Sequence, residues 1–303
     1  MIFSAWPGSA TNWDDLIGLC QHVEQTGWDG LWIADHFMPN RPDNNIGPTQ
    51  EAWTLLSAIA ALVPRVRIGT LVTGNTYRFP PVLAKQAAQV DIISGGRLVL
   101  GLGAGWQENE HEAYGLEFYT VGERLRRMEE AVQIIKGLFT NEQTTFEGRY
   151  YTVTNAPLDP KPVQQPHPPI LIGGGGEKVT LRVTAQYADE WNTWGDPAHL
   201  AQKIGVLNEH CERLGRDPAE IKHSAQAVVV LSDDPEVVSK ALEGPGRATI
   251  AGNVDQLKQT MQEYIDAGVD EFIMPDFNLG RDVKNRKAIY DRFITEVAPE
   301  FRA

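Results

Sequence analysis

Residues 66–105 read VRIGTLVTGNTYRFPPVLAKQAAQVDIISGGRLVLGLGAG: an apolar run, a stretch opened by two prolines, and a second apolar run. Runs 66–73 and 97–105 hold mostly Val, Ile, Leu, Gly and Thr, the pattern of strands covered on both faces. Pro80 and Pro81 stand where the first turn of a helix tolerates proline, and PPVLAKQAAQVDIIS continues without a breaker. Strand, helix and strand in this order predict a βαβ unit, since parallel strands need such a crossover.

The same alternation extends in both directions. Upstream lie IFSAW (Ile2–Trp6), then NWDDLIGLCQHVEQTG, whose Leu16, Leu19, Cys20 and Val23 form one helical stripe that Asn12 or Asp14 is placed to cap. GLWIADH (30–36) follows, then a polar loop through residue 48 and a helix near 50–62 that Pro64 stops. Downstream, a helix near 121–139 carries Leu125, Met128, Val132, Ile135 and Phe139 on one side. PPILIGG (168–174), ADEWNTW (188–194), HSAQAVVVL (223–231) and VDEFIMP (269–275) supply four more strand-like runs. They are separated by helices near 177–187, 197–214, 234–243 and 254–268, and a last helix is expected near 285–297. Eight such repeats predict a (β/α)8 TIM barrel, residues 1–303 forming one domain without exposed sheet edges. Residues 140–168 interrupt the rhythm. They are read as an insertion between the fourth helix and fifth strand, with an extended pair around FEGRYYTV.

Composition narrows the function. Charge is 27 minus 40, or -13, which argues against a nucleic-acid footprint. The two cysteines, Cys20 and Cys211, form no CxxC, and the N-terminus lacks a basic, apolar leader. A reducing, cytoplasmic setting without a membrane span is the expectation. No HExxH, GxSxG or P-loop occurs, and the histidines show no zinc spacing, so no metal is expected. Glu110 and Glu190 are the carboxylates that a glycosidase reading would use.

In a barrel of this kind, the C-terminal ends of the strands carry the chemistry. Asp35 and His36 end the second run, and an imidazole there can move a proton while a carboxylate tunes it or caps the loop. Gly101–Trp106 reads as a place where a flat ligand approaches strand backbone, with Trp106 stacking on it or roofing the core. Glu110 and His111 are either helix-surface residues or pocket acid–base groups. Gly173, Gly174, Gly175 and Gly176 lead into a helix with Glu177, Lys178 and Arg182, and successive amides at a helix start suit an anion such as phosphate. Gly252-Asn253 is a weaker second candidate of that kind. Residues alone thus reach a barrel enzyme for a flat, phosphorylated ligand.

GWDGLWIADHFMP, RIGTLVTGNTYRFPPVLAKQAAQVDIISGGRLVLGLGAGW, ENEHEAYG and PPILIGGGG together resemble the bacterial luciferase-like monooxygenase superfamily, most nearly its branch that uses the deazaflavin coenzyme F420. The resemblance implies F420 with its ring near Asp35, His36, Thr73, Asn75 and Gly103-Ala104-Gly105, and its phosphate at Gly173–Gly176. It also implies a non-prolyl cis bond between Leu71 and Val72, forming a bulge behind the ring. The activity it implies is hydride transfer between deazaflavin C5 and a small organic substrate, with His36 exchanging the proton and Asp35 assisting. Trp6, Asn40, Trp106, Glu110, His111 and Trp194 would line the substrate pocket, and the enzyme would be a homodimer.

The substrate side departs from the sugar-phosphate dehydrogenases of that branch. Trp106 stands where they carry a catalytic glutamate, Asn40 where they carry a tryptophan, and no glutamate lies near Ser9. The alternative in the same fold is a monooxygenase using reduced FMN and oxygen. A non-catalytic cofactor-binding protein is the alternative of a different class.

Overall fold

The computed structural model describes residues 1–8, 11–40, 46–244 and 246–302. Ser9 and residues 41–45 of the polar loop lie outside the described residues. Strands are β1 (Ile2–Trp6), β2 (Gly30–Ile33), β3 (Arg67–Thr70), β4 (Thr73–Gly74), β5 (Leu98–Gly103), β6 (Gln143–Glu147), β7 (Thr152–Pro157) and β8 (Ile170–Gly173). They continue with β9 (Glu190–Trp194), β10 (Lys222–Gln226), β11 (Val228–Leu231), β12 (Thr249–Gly252) and β13 (Glu271–Pro275). Helices are α1 (Trp13–Gln25), α2 (Ala52–Leu62), α3 (Pro80–Ser94), α4 (Glu108–Tyr114), α5 (Val121–Thr140), α6 (Thr180–Tyr187), α7 (Pro197–Leu214), α8 (Pro235–Leu242), α9 (Val254–Asp266) and α10 (Val283–Arg292).

Contacts gather the chain into two compact units. The first comprises Met1–Gly8, Asn12–Trp32 and residues from Gly174 onward, and orders its main strands β2-β1-β13-β10-β9, all parallel. Register is fixed by pairs such as Ser4 with Ile273 and Asn192 with Ser224. The second unit, built on Ile33–Gly173, pairs β3 and β4 with β5, and β5 with β8, again parallel. Counting β3 and β4 as one interrupted strand, these eight parallel strands alternate with helices, and the fold is a (β/α)8 barrel.

Local chemistry explains the element ends. Asn12 caps α1, its Oδ1 accepting from the Asp15 amide at 2.9 Å. Phe79 precedes α3, whose first residues are Pro80 and Pro81. The third expected strand is split in two, β3 ending at Thr70 and β4 starting at Thr73, and the expected cis bond lies between Leu71 and Val72. The run at 223–231 is likewise two strands: β10 stays in the main sheet, while β11 leaves it to pair with β12. Asn253, read as an anion site, instead caps α9 in a reciprocal box with Gln256. Its side chain is spent on the helix's own first amides.

The insertion contains the expected extended pair, an antiparallel hairpin of β6 and β7. Glu130 on α5 fixes its turn by accepting from the amides of Arg149, Tyr150 and Tyr151. Among the described residues, no helix is long and apolar enough to cross a membrane.

Candidate active site

His36 lies just past β2 in the second unit. Its Nδ1 is 2.8 Å from Glu110 Oε1. Glu110 sits on the inner face of α4, fully buried, and accepts two further donors: the Phe37 amide at 2.8 Å and the Tyr77 hydroxyl. Burial pulls the Glu110 carboxyl upward, but the bonds from His36, Tyr77 and Phe37 outweigh it and hold the group below its ordinary value. An ionised carboxylate can only accept, so Nδ1 carries the proton and, in the neutral ring, Nε2 is the acceptor. Burial and the neighbouring Glu110 push the Tyr77 phenol up, which keeps it a donor. Trp106, 56% exposed, stands edge-on to the imidazole with centroids 5.5 Å apart.

Asp35, expected to tune His36, does not touch it. Its carboxylate is 1% exposed and gripped by Arg78, with Nη1 at 2.5 Å and Nη2 at 3.2 Å. Arg78 also binds Glu51 at 2.5 Å, tying the end of β2 to the start of α2. Just past β2, Asp35 faces Arg78 while His36 faces Glu110. Burial raises the Asp35 carboxyl, with Arg78 opposing the rise. The carboxylate that touches His36 is Glu110. Arg78 had a sequence signal: it is the only charged residue between Arg67 and Lys85.

His111 is an interior packing residue rather than a pocket acid–base group. Both ring nitrogens are engaged, Nδ1 with the Gln107 carbonyl and Nε2 with Thr76 Oγ1, each at 2.7 Å. His111 and Glu110 do both lie on a helix, α4, but they face inward from it rather than to the surface.

Gly103, expected to admit a ligand, instead admits protein. A Cβ there would lie 2.6 Å from a Val72 methyl, and one at Gly173 would lie 2.9 Å from both Val72 methyls. The glycines make room for the bulge at the cis bond. At its far side Thr73 accepts from Trp53 Nε1 at 3.0 Å, and Asn75 donates to the Tyr151 hydroxyl at 3.2 Å. Asn75 Oδ1 is buried with no donor among the described residues. Ala104 and Gly105 follow the end of β5, and Asn40 is exposed beyond β2.

In the first unit, Gly174 has φ +123, open to glycine alone, and its amide is used up on the Asn192 carbonyl at 2.9 Å. The amides of Gly175 and Gly176 have no acceptor among the described residues, and α6 begins only at Thr180. Lys203 of α7 stands beside this turn, its Nζ 2.7 Å from Glu177. Arg182 points elsewhere, donating to Gln186 at 3.3 Å. Lys203 escaped the sequence reading because it lies 27 positions beyond the last of the four glycines, on another helix. Trp6 and Trp194 end β1 and β9 in the same unit, with ring centroids 5.9 Å apart. In the second unit the unpaired Asn75 acceptor would suit a ligand N–H; in the first, the two free glycine amides would suit an anion.

The sequence matches the profile of luciferase-like monooxygenases across residues 2–272. The chain belongs to that family. Among family relatives, an F420-dependent glucose-6-phosphate dehydrogenase of Kineococcus radiotolerans is 34% identical over 75% of this chain and 66% of its own length. An F420-dependent hydroxymycolic acid dehydrogenase of Mycobacterium tuberculosis is 28% identical over 89% of this chain and 73% of its own. The chain spans half to two thirds of the length of the first curated relatives it matches. Among solved structures, an F420-dependent secondary alcohol dehydrogenase in complex with an F420–acetone adduct superposes with a TM-score of 0.84 at 22% identity. That likeness covers 100% of this chain and 99% of the other, and it establishes the shared fold.

Proposed function

We propose that this chain is an F420-dependent oxidoreductase that moves a hydride between the deazaflavin and a small organic substrate. The observation that carries the reading is His36, fixed by Nδ1 to an ionised, buried Glu110 with Nε2 left unpartnered among the described residues. Relatives named as F420-dependent dehydrogenases support the choice of cofactor. Bound F420 supplies the hydride chemistry, which side chains cannot.

The chain's own residues supply the rest. Asn75 Oδ1 is an acceptor for a ring N–H, and the bulge at Val72, seated over Gly103 and Gly173, gives the ring a firm backing. Leu71 and Thr73 hold that bulge from either side. The Gly175 and Gly176 amides, with Lys203 nearby, are donors for an anionic tail. His36 Nε2 takes the substrate's proton during oxidation and returns it during reduction, and Glu110 stabilises the imidazolium formed between these events. Trp106 offers an apolar wall beside it where the resemblance would place a glutamate in sugar-phosphate dehydrogenases. The substrate side is therefore read as built for a less polar molecule than a sugar phosphate. Asn40 borders that side. In the first unit, Trp6 and Trp194 pack on one another at 5.9 Å.

Equilibrium binding of F420 and FMN, each in both redox states, tests the reading. F420 is expected to bind and FMN to bind much more weakly. Tight FMN binding without F420 binding would instead identify a flavin monooxygenase. The homodimer implied by the resemblance is tested by light scattering over a range of concentrations, where a monomer throughout would overturn it.

A further inference from the structure

Tyr77 lies between β4 and α3, in the second unit. Its amide donates to the Gly74 carbonyl at 3.1 Å, so the side chain leaves a tight turn. The ring is held from three sides. A Cβ at Gly74 would come within 2.6 Å of it, Phe37 meets it edge-on with centroids 4.9 Å apart, and the His111 ring lies at 5.2 Å. His111 is itself held, by the Gln107 carbonyl and Thr76 Oγ1. This packing directs the Tyr77 hydroxyl to Glu110 Oε1, the oxygen that also meets His36 Nδ1, while Oε2 takes the Phe37 amide. Burial and Glu110 push the phenol well above its ordinary value, so Tyr77 stays a donor. Asp35 and Arg78, which also act on the phenol, are paired with each other at 2.5 Å.

Two donors therefore share one carboxylate oxygen. Each draws charge from it and lessens what it can offer the other. We propose that Tyr77 is a positioning residue for His36 that acts through Glu110, orienting the carboxylate and limiting how firmly it holds the imidazolium. This deepens the reaction proposed above and rests on that reading. The gain is reversibility: a base that takes a proton in one direction must give it back in the other. With the phenol gone, the charge on Oε1 falls on His36 alone, and the imidazolium is held harder. A cation at position 77 would cancel the carboxylate, whereas a neutral hydroxyl only moderates it.

Ring-proton NMR of His36 against pH, in the cofactor-free full-length protein, tests this and needs no substrate. Tyr77→Phe keeps the ring and removes only the hydroxyl, and the midpoint of the His36 signals is expected to rise by about 0.5–1 pH unit. With Glu110→Gln already in place, the same change should move it by less than about 0.2 unit, because the link is gone. Tyr77→3-fluorotyrosine makes the phenol a stronger donor at nearly the same volume and should lower the midpoint. An unmoved or lower midpoint in Tyr77→Phe, or a rise of equal size in the Glu110→Gln background, would overturn the role. Should Tyr77→Phe not fold, the fluorotyrosine protein decides, and a midpoint that fails to fall overturns the role equally. F420 binding to the same samples keeps the two proposals apart. Midpoints that move as stated in a protein that binds no F420 sink the oxidoreductase reading, whereas F420 binding with unmoved midpoints sinks the role of Tyr77.

Discussion

His36 Nδ1 and Glu110 Oε1 stand 2.8 Å apart, joining residues separated by 74 positions in sequence. The contact sets the imidazole tautomer from within the protein, before any ligand arrives. Under the proposed reaction, His36→Ala should lower kcat/KM by about 10²–10⁴ with F420 binding retained, as loss of a general acid–base group does. Glu110→Gln should lower it less and alter the pH–rate profile, because the imidazolium loses its carboxylate. Steady-state kinetics across pH check both. An unchanged profile in His36→Ala would remove it from proton transfer.

Glu110 also links stability to pH. Its carboxyl titrates below its unfolded value of about 4.3. The sign follows: the stabilisation is complete above that value and fades as pH falls through the lower, folded one. Urea midpoints measured between about pH 3 and 7 should therefore drop on the acid side in wild type. Glu110→Gln should be less stable at neutral pH and show a shallower acid decline.

Arg78 is held between Asp35 and Glu51, so removing Asp35 takes away the buried partner of a largely buried cation and leaves only Glu51. Asp35→Ala is expected to cost about 3 kcal/mol of stability, the usual consequence of breaking a buried pair on one side. Glu51→Ala, at a partly buried partner that also caps α2, should cost less, about 1 kcal/mol. Denaturant unfolding of the two variants checks the order.

At Gly103 an added Cβ would lie 2.6 Å from Val72, and Gly103→Ala should destabilise by about 1–3 kcal/mol through overpacking. Val72→Ala would remove the opposing methyls, so the double variant should lose less than the sum of the single ones. A purely additive cycle would show that the bulge and the glycine do not press on one another.

Lys203 beside the glycine turn should matter to the cofactor tail and not to the chemistry. Lys203→Met is expected to weaken F420 binding by about three- to tenfold while kcat at saturating F420 holds. Fluorescence titration and steady-state kinetics together separate the two effects.

Much of the barrel is written locally. β1 and α7 occupy Ile2–Trp6 and Pro197–Leu214 as periodicity predicts, and Asn12 caps α1 as its side chain allows. Such features depend on neighbours a few residues away, so a reader of the chain can see them. The glycines at 103 and 173 were visible too, but their purpose was not. Only the folded chain brings Val72 against them. The same holds for the carboxylate that partners His36. Asp35 adjoins His36 in sequence, yet it turns to Arg78, and the carboxylate that meets His36 comes from Glu110, 74 positions away. Backbone periodicity is a property of consecutive residues and survives in the sequence alone. Which side chains share a proton or a counter-ion depends on contacts between distant segments, and that pairing exists only once the chain has closed on itself.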